Sequence, residues 1–177
     1  RTVQLLKRIK AEQTFDQMKK QAEDLQRRQD ELNALAKDIK NDNTRDALAK
    51  EQDNISKSLD NLQKKSEDQK DLVHEIDKTL STKELDKAIE QMKSGAMQKK
   101  MKQSQSAIGQ GQQAAQSEQN NQKETSQDLD SLARQMQNAK TEYQKQQKQQ
   151  ISNAMRKIIF DMLEISKDQE AIMLESR

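Results

Sequence analysis

One histidine, no cysteine and 30 carboxylates are the groups that this chain offers to metal, nucleophilic or acid–base chemistry. His74-Glu75 opens like the helical zinc motif, in which a second histidine four residues on shares a face with the first; that position is Lys78. A zinc site on His74 alone would have to recruit carboxylates for the remaining ligands. Asp42, Thr44 and Asp46 have the alternate spacing that begins a calcium loop, but the turn position that needs glycine is Ala47, and the twelfth is Asp53 where a bidentate Glu is expected. Helix capping accounts for these residues better. Gly109-Gln110-Gly111-Gln112-Gln113-Ala114 spells a dinucleotide fingerprint without the preceding strand that gives the fingerprint its meaning. No pair of carboxylates stands in the apolar setting that general acid–base catalysis requires. The residues therefore predict no catalytic, cofactor-binding or metal site, and a protein that is not an enzyme.

Binding to nucleic acid is not expected either. The 32 basic and 30 acidic side chains leave a net charge of +2, too little for a strong whole-chain field. Lys99, Lys100 and Lys102, and Lys145 with Lys148, form small basic clusters without aromatic neighbours to stack on bases. Charges are interleaved, as in Glu23-Asp24 before Arg27-Arg28, which suits a solvated helix face with pairs worth about 0.2–0.5 kcal/mol each. No apolar run reaches the length of a membrane span, and no secretory signal is present. Without cysteine there is no disulfide. Because the chain opens at Arg1 and closes at Arg177 inside helical pattern, it reads as a piece of a longer protein.

What remains to be explained is the spacing of the apolar residues. Phe15, Met18, Ala22, Leu25, Leu32, Ala36 and Ile39 form one line of three- and four-residue steps once Gln29 is given a place; Leu48, Ile55, Leu59, Leu62, Val73, Ile76 and Leu80 form another. A repeat averaging 3.5 residues keeps one stripe facing a neighbouring helix. The 177 residues include no Pro, no Cys, no Trp, three Gly and 28 Gln, and β-branched residues are sparse, so a sheet has little to form from. Hydrophobic and aromatic contents of 31% and 2% would also describe a disordered chain, but disorder gives no reason for the regular spacing. A core this thin implies an elongated shape.

Turn signals divide the stripe into segments. Lys40-Asn41-Asp42-Asn43-Thr44 predicts a hairpin turn with Asn43 as N-cap. Ser81-Thr82-Lys83-Glu84 spells a capping box flanked by Leu80 and Leu85, predicting a helix start at Thr82. Ser94-Gly95 is expected to bend that helix, and Gly109-Gln110-Gly111 to break it. Leu129, Leu132, Met136, Ala139 and Tyr143 resume the alternation, with Thr141 as a weak cap candidate.

In the last stretch, Ile151, Met155, Ile158, Met162, Ile165 and Ile172 form a stripe widened by Ile159, Phe160, Leu163 and Leu174. Such width belongs to a central bundle helix or to one that docks on something else, and intrachain packing is the expectation. Val3, Leu5, Leu6 and Ile9 permit the same two explanations. The polar stripe members Gln29, Gln52, Ser66 and Gln69 either fix register at a cost in stability or sit in partly solvated seams; the many Ala, Met, Ser and Gln positions favour the second. Met18, Met92, Met97, Met101, Met136, Met155 and Met162 suit irregular gaps between helices or a promiscuous groove.

Gln21-Ala22-Glu23-Asp24-Leu25 followed by Arg28-Gln29-Asp30-Glu31-Leu32, the segment from Ala88 to Ala115, and Met162-Leu163-Glu164-Ile165-Ser166-Lys167-Asp168-Gln169-Glu170 resemble, in order and over most of the chain, the helical coiled-coil region of a family of large bacterial membrane-anchored proteins of unknown function. The resemblance implies a parent with N-terminal transmembrane helices and this segment on one side of the bilayer, the extracytoplasmic side favoured. It carries no catalytic residues with it.

The expected protein is an all-α, elongated helical bundle of about five helices with antiparallel coiled-coil hairpins. Residues 1–80 would form a long antiparallel hairpin, with helices near 2–40 and 44–80, and residues 81–177 shorter helices packed against it. The function expected is that of a structural or scaffold module acting through helix–helix contact, with protein partners or self-association through the apolar stripes. Two alternatives are a holdase-like chaperone or adaptor gripping clients between helices, and a regulatory helical element of a larger enzyme.

Overall fold

The computed structural model describes residues 2–38, 42–109 and 116–175. Burial follows the stripe. The first helix, α1 (Thr2–Leu35), buries Ala11, Phe15, Met18, Ala22, Leu25, Gln29 and Leu32, a strict alternation of four- and three-residue steps, and ends in a short 3-10 turn, Ala36–Asp38. Helix α2 (Asp42–Ile76) continues the same alternation through Leu48, Gln52, Ile55, Leu59, Leu62, Ser66, Gln69 and Val73. Then come α3 (Lys83–Lys93), α4 (Ala96–Gly109) and α5 (Gln116–Glu175). The chain is an all-α elongated bundle, with no strand among the described residues.

Ion pairs give the direction of each helix. Lys7–Glu75 at 2.6 Å and Arg28–Glu51 at 2.8 Å run α1 antiparallel to α2. Lys70–Asp86 and Lys93–Glu67, at 2.6 and 3.1 Å, do the same for α2 and α3. Lys100 meets Glu124 and Asp128 of α5, each at 3.0 Å, and Lys140 returns to Asp16 of α1 at 2.5 Å. Helices α3 and α4 both pack between α2 and α5, so together they form one broken rod in a four-rod, up-down-up-down bundle. Surface pairs of this kind add little stability each, but each of the four seams between rods has at least one, and together they disfavour other registers.

The break in the third rod is made by Gly95. Its φ of +68° is the left-handed conformation that glycine supplies after a helix end. The Ser94 and Gly95 amides donate to the Glu90 and Met92 carbonyls. The expected bend is thus a true helix end.

Several sequence expectations change here. The helix after the second turn begins at Lys83 with Thr82 as N-cap, yet the capping box does not form. Ser81 and Glu84 turn instead to α5: the Ser81 amide donates to Gln146 at 2.7 Å, its hydroxyl to Glu142 at 2.7 Å, and the Glu84 amide to Glu142 at 3.5 Å. Tertiary acceptors have replaced the local one. Thr141 caps nothing; it lies inside α5 and donates to the Gln137 carbonyl, as a hydroxyl within a helix does. The shorter helices expected throughout 81–177 are corrected by α5, whose 60 residues make it the longest element, about 90 Å at 1.5 Å per residue. Helix α2 begins at Asp42, which places Asn43 in its first turn and not at the cap. Ile39, Lys40 and Asn41 lie outside the described residues, as do Gln110 and Gly111 of the expected glycine break; Gly109 closes α4.

Gln29, Gln52, Ser66 and Gln69 are buried, which overturns their expected place in partly solvated seams. The Gln29 and Gln52 amides pair reciprocally at 2.9 and 3.2 Å, Gln29 also donates to Asn33, and Asn33 donates to the Gln122 carbonyl of α5. Gln69 donates to the Ala11 carbonyl at 2.9 Å, and Ser66 to the Leu62 carbonyl at 2.8 Å. Ser104, Gln122 and Thr125, which the spacing of apolar residues does not single out, are also buried, toward the same end of the bundle as the glutamine pair. Removing half of a buried pair strands the other half and costs about 1–3 kcal/mol, whereas replacing both halves by apolar groups approaches neutrality. Gln29→Leu is therefore expected to lower stability in urea by about that amount, and adding Gln52→Leu to restore most of it.

Toward the opposite end, Phe15 and Tyr143 pack with ring centroids 5.3 Å apart, and Gln147 donates to the Tyr143 hydroxyl. Burial pushes the Tyr143 phenol up to about 12, with the Glu12 carboxylate adding to the shift. Between the ordinary tyrosine value of about 10 and that value, the unfolded chain loses a proton that the folded one keeps, so stability falls as pH rises through this window. Tyr143 is the single tyrosine, so tyrosinate absorbance reports on it alone. The midpoint is expected near 12 in the folded protein and near 10 in urea, and Tyr143→Phe should flatten the alkaline loss of stability.

Candidate interaction surface

The positions with chemical potential are occupied structurally. His74 stands on α2 with Nε2 3.4 Å from the Thr82 hydroxyl, and Lys78 lies in the following turn. Asp42 pairs with Arg45 at 2.6 Å in the first turn of α2, and Thr44 and Asp46 belong to the same helix, so no loop forms there to wrap a calcium ion. Of the letters matching a dinucleotide fingerprint, Gly109 ends α4 and Gln110 to Ala114 lie outside the described residues. Among the described residues no group of three or more His, Asp or Glu is placed to hold a metal. In the basic clusters, Lys100 is committed to the α4–α5 seam, where Glu124 first and then Asp128 hold its ammonium above the ordinary lysine value. The grooves between helices, such as the one lined by Lys10, Gln17, Lys65 and Asp68, are open and bordered mainly by polar and charged residues.

Helix α5 carries the unusual feature. From Gln122 to Tyr143 its buried stripe follows the three- and four-residue alternation, but Tyr143, Gln147, Ile151 and Met155 are separated by three successive steps of four. Such a stutter locally unwinds the seam. It coincides with the end of the bundle, where Arg8 of α1 meets Gln150 at 3.4 Å and Gln150 donates to Asp77 in the turn after α2 at 2.7 Å. Asp77 accepts both the amide and the hydroxyl of Thr79, and these contacts, with Gln150 contributing less, hold its carboxyl below the ordinary value.

Beyond this layer every side chain from Ile151 to Leu174 is exposed. Eleven are large and apolar: Ile151, Met155, Ile158, Ile159, Phe160, Met162, Leu163, Ile165, Ile172, Met173 and Leu174 are 49–73% exposed. The expectation that this stretch packs centrally within its own bundle is corrected. Other helices run out first, since α2 has ended at Ile76 and the line of the α1 stripe continues only through Arg8 and Gln4. Val3, Leu5, Leu6 and Ile9 of α1 are likewise exposed at this end. Arg156, Lys157, Asp161, Glu164, Lys167, Asp168 and Glu170 form no ion pair among the described residues. The stutter and the polar start of the α1 stripe were the sequence signals for this uncovered helix.

No helix among the described residues is long and apolar enough to cross a membrane. Compared with protein-family models, curated proteins and solved structures, the chain finds no match in any of the three. Exposed side chains away from special features contribute within about 0.5 kcal/mol to stability, whereas truncating a buried leucine costs about 2–5 kcal/mol. Phe160→Ala should thus leave the urea midpoint of the dilute protein unchanged, while Leu129→Ala on the same helix should lower it sharply.

Proposed function

We propose that this chain is a non-enzymatic scaffold module in which a closed helical bundle serves as a stiff rod and residues 151–174 of α5 serve as its docking helix. The observation that carries the proposal is the apolar surface of that segment, eleven large side chains that are each about half or more exposed on a single helix. Large exposed patches on folded proteins mark sites of interaction, and a helix that is apolar over most of its circumference has a stable place only against other helices or in a larger core. Its three- and four-residue spacing is that of a coiled-coil partner. On the resemblance of its motifs we assign the module to a membrane-anchored bacterial parent, on the extracytoplasmic side, where it spaces or joins protein partners.

A chaperone that grips clients between its helices has less support. Met18, Met92, Met97, Met101 and Met136 are buried, so these methionines fill the bundle core and do not line an open cleft. A photo-crosslinking residue at Ile158 or Leu163 is expected to give protein adducts in cells at several times the yield of one at Lys20 or Asn54, both exposed on the bundle body. Equal yields at all four positions would remove the docking-helix reading.

A further inference from the structure

The seam Met155, Ile158, Met162, Ile165, Gln169 and Ile172 of the α5 extension, apolar but for Gln169, has steps that read the same in both directions. We infer that its occupant is the same segment of a second copy of this chain, running antiparallel about a two-fold axis between Met162 and Ile165; this inference rests on the docking-helix reading above. That axis sets Met162 against Ile165, Ile158 against Gln169 and Met155 against Ile172, so each four-residue step in one copy meets a matching step in the other. A closed two-fold pair needs such a self-complementary surface. Ile159 and Met173 fall beside the seam on one flank and widen it.

Charge selects the direction. The first third of the segment carries Arg156 and Lys157, and the last third carries Asp168 and Glu170 with Lys167 beside them. Antiparallel pairing brings the two basic residues level with the two acidic ones of the second copy, Lys157 beside Asp168 along one flank of the seam and Arg156 level with Glu170 farther round on the outer face. Parallel pairing sets like beside like, which disfavours it. None of the four has an ion-pair partner within its own chain among the described residues.

Size is also sufficient. Specific interfaces bury about 1,200–2,000 Å² in total, and two paired helices of 24 residues reach on the order of the lower bound. The overlap also brings the end of the second helix beside Val3, Leu5 and Leu6, which lie exposed where α1 runs along α5. A membrane surface is the weaker occupant, because acidic side chains outnumber basic ones over 151–174.

The test uses the full chain. Light scattering after size exclusion should give twice the monomer mass of 20.5 kDa, and Met162→Lys should weaken the dimer more than tenfold with unchanged circular dichroism and urea midpoint of the monomer. The absence of cysteine allows single spin labels at Ser152→Cys and Ser166→Cys. Antiparallel pairing about this axis separates the two Ser152 positions by about 35 Å along the helices and the two Ser166 positions by under about 10 Å, at 1.5 Å per residue. Short distances at both sites, a dimer indifferent to Met162→Lys, or a monomer at high concentration would each overturn the second-copy assignment. So would a monomer that sediments with vesicles of phosphatidylcholine and phosphatidylglycerol. A monomeric chain that still crosslinks to other proteins through Ile158 and Leu163 would retain the docking-helix reading without the self-pairing.

Discussion

Every seam of this bundle depends on burying one narrow line of side chains per helix, and the Gln29–Gln52 pair shows why that line must keep a single register. Two amides in reciprocal hydrogen bonds satisfy one another only when α1 and α2 stand at the same level. Sliding one helix by a heptad would keep much of the apolar contact but would set each amide against aliphatic neighbours, where an unmatched polar group is costly. The apolar positions alone are degenerate in this respect, since a heptad repeat looks alike at every turn. Asn33 carries the constraint on to the Gln122 carbonyl of α5. Buried polarity thus gives a repetitive sequence one alignment.

The same economy determines where the fold stops. Helices α1 and α5 remain paired from Asn33 and Gln122 at one end to Arg8 and Gln150 at the other, and within that span α5 has neighbours on both sides. Past Gln150 the stripe of α5 becomes more apolar while the potential partners end or turn polar. The bundle and the extension are therefore parts of one helix in opposite surroundings. The seam charges are paired across helices in the bundle, whereas among the described residues those of the extension form no ion pair.

Much of this architecture is legible in the spacing of Leu, Ile, Met and Ala, because a 3.5-residue repeat has only one common structural use. The α3 start beside Thr82 was readable for a local reason, a short polar residue, whereas Gly95 was legible as a bend and not as the helix end that its positive φ makes. Thr141 misled because its hydroxyl has two uses, capping a helix or bonding back within one, and the sequence does not distinguish them. The box at Ser81 to Glu84 misled because Glu142, 58 residues beyond Glu84, took over the local hydrogen bond. The fate of the last stretch depended on how far the other helices reach, a property of the assembled bundle. Its apolar members were all visible; their exposure was not.

An unsupported helix of about two dozen residues would ordinarily bear the cost of its first turn, the unfavourable nucleation step that makes short helices marginal in water. In α5 that turn has already been made inside the bundle, where Leu129, Leu132 and Met136 are locked into the core. The segment from Ile151 onward has only to propagate from an existing end, one backbone hydrogen bond per residue fixed. It is helical within the single chain, so docking of the kind proposed would not include the entropy loss of coil becoming helix. The bundle is, in this sense, a template that keeps its own overhang wound.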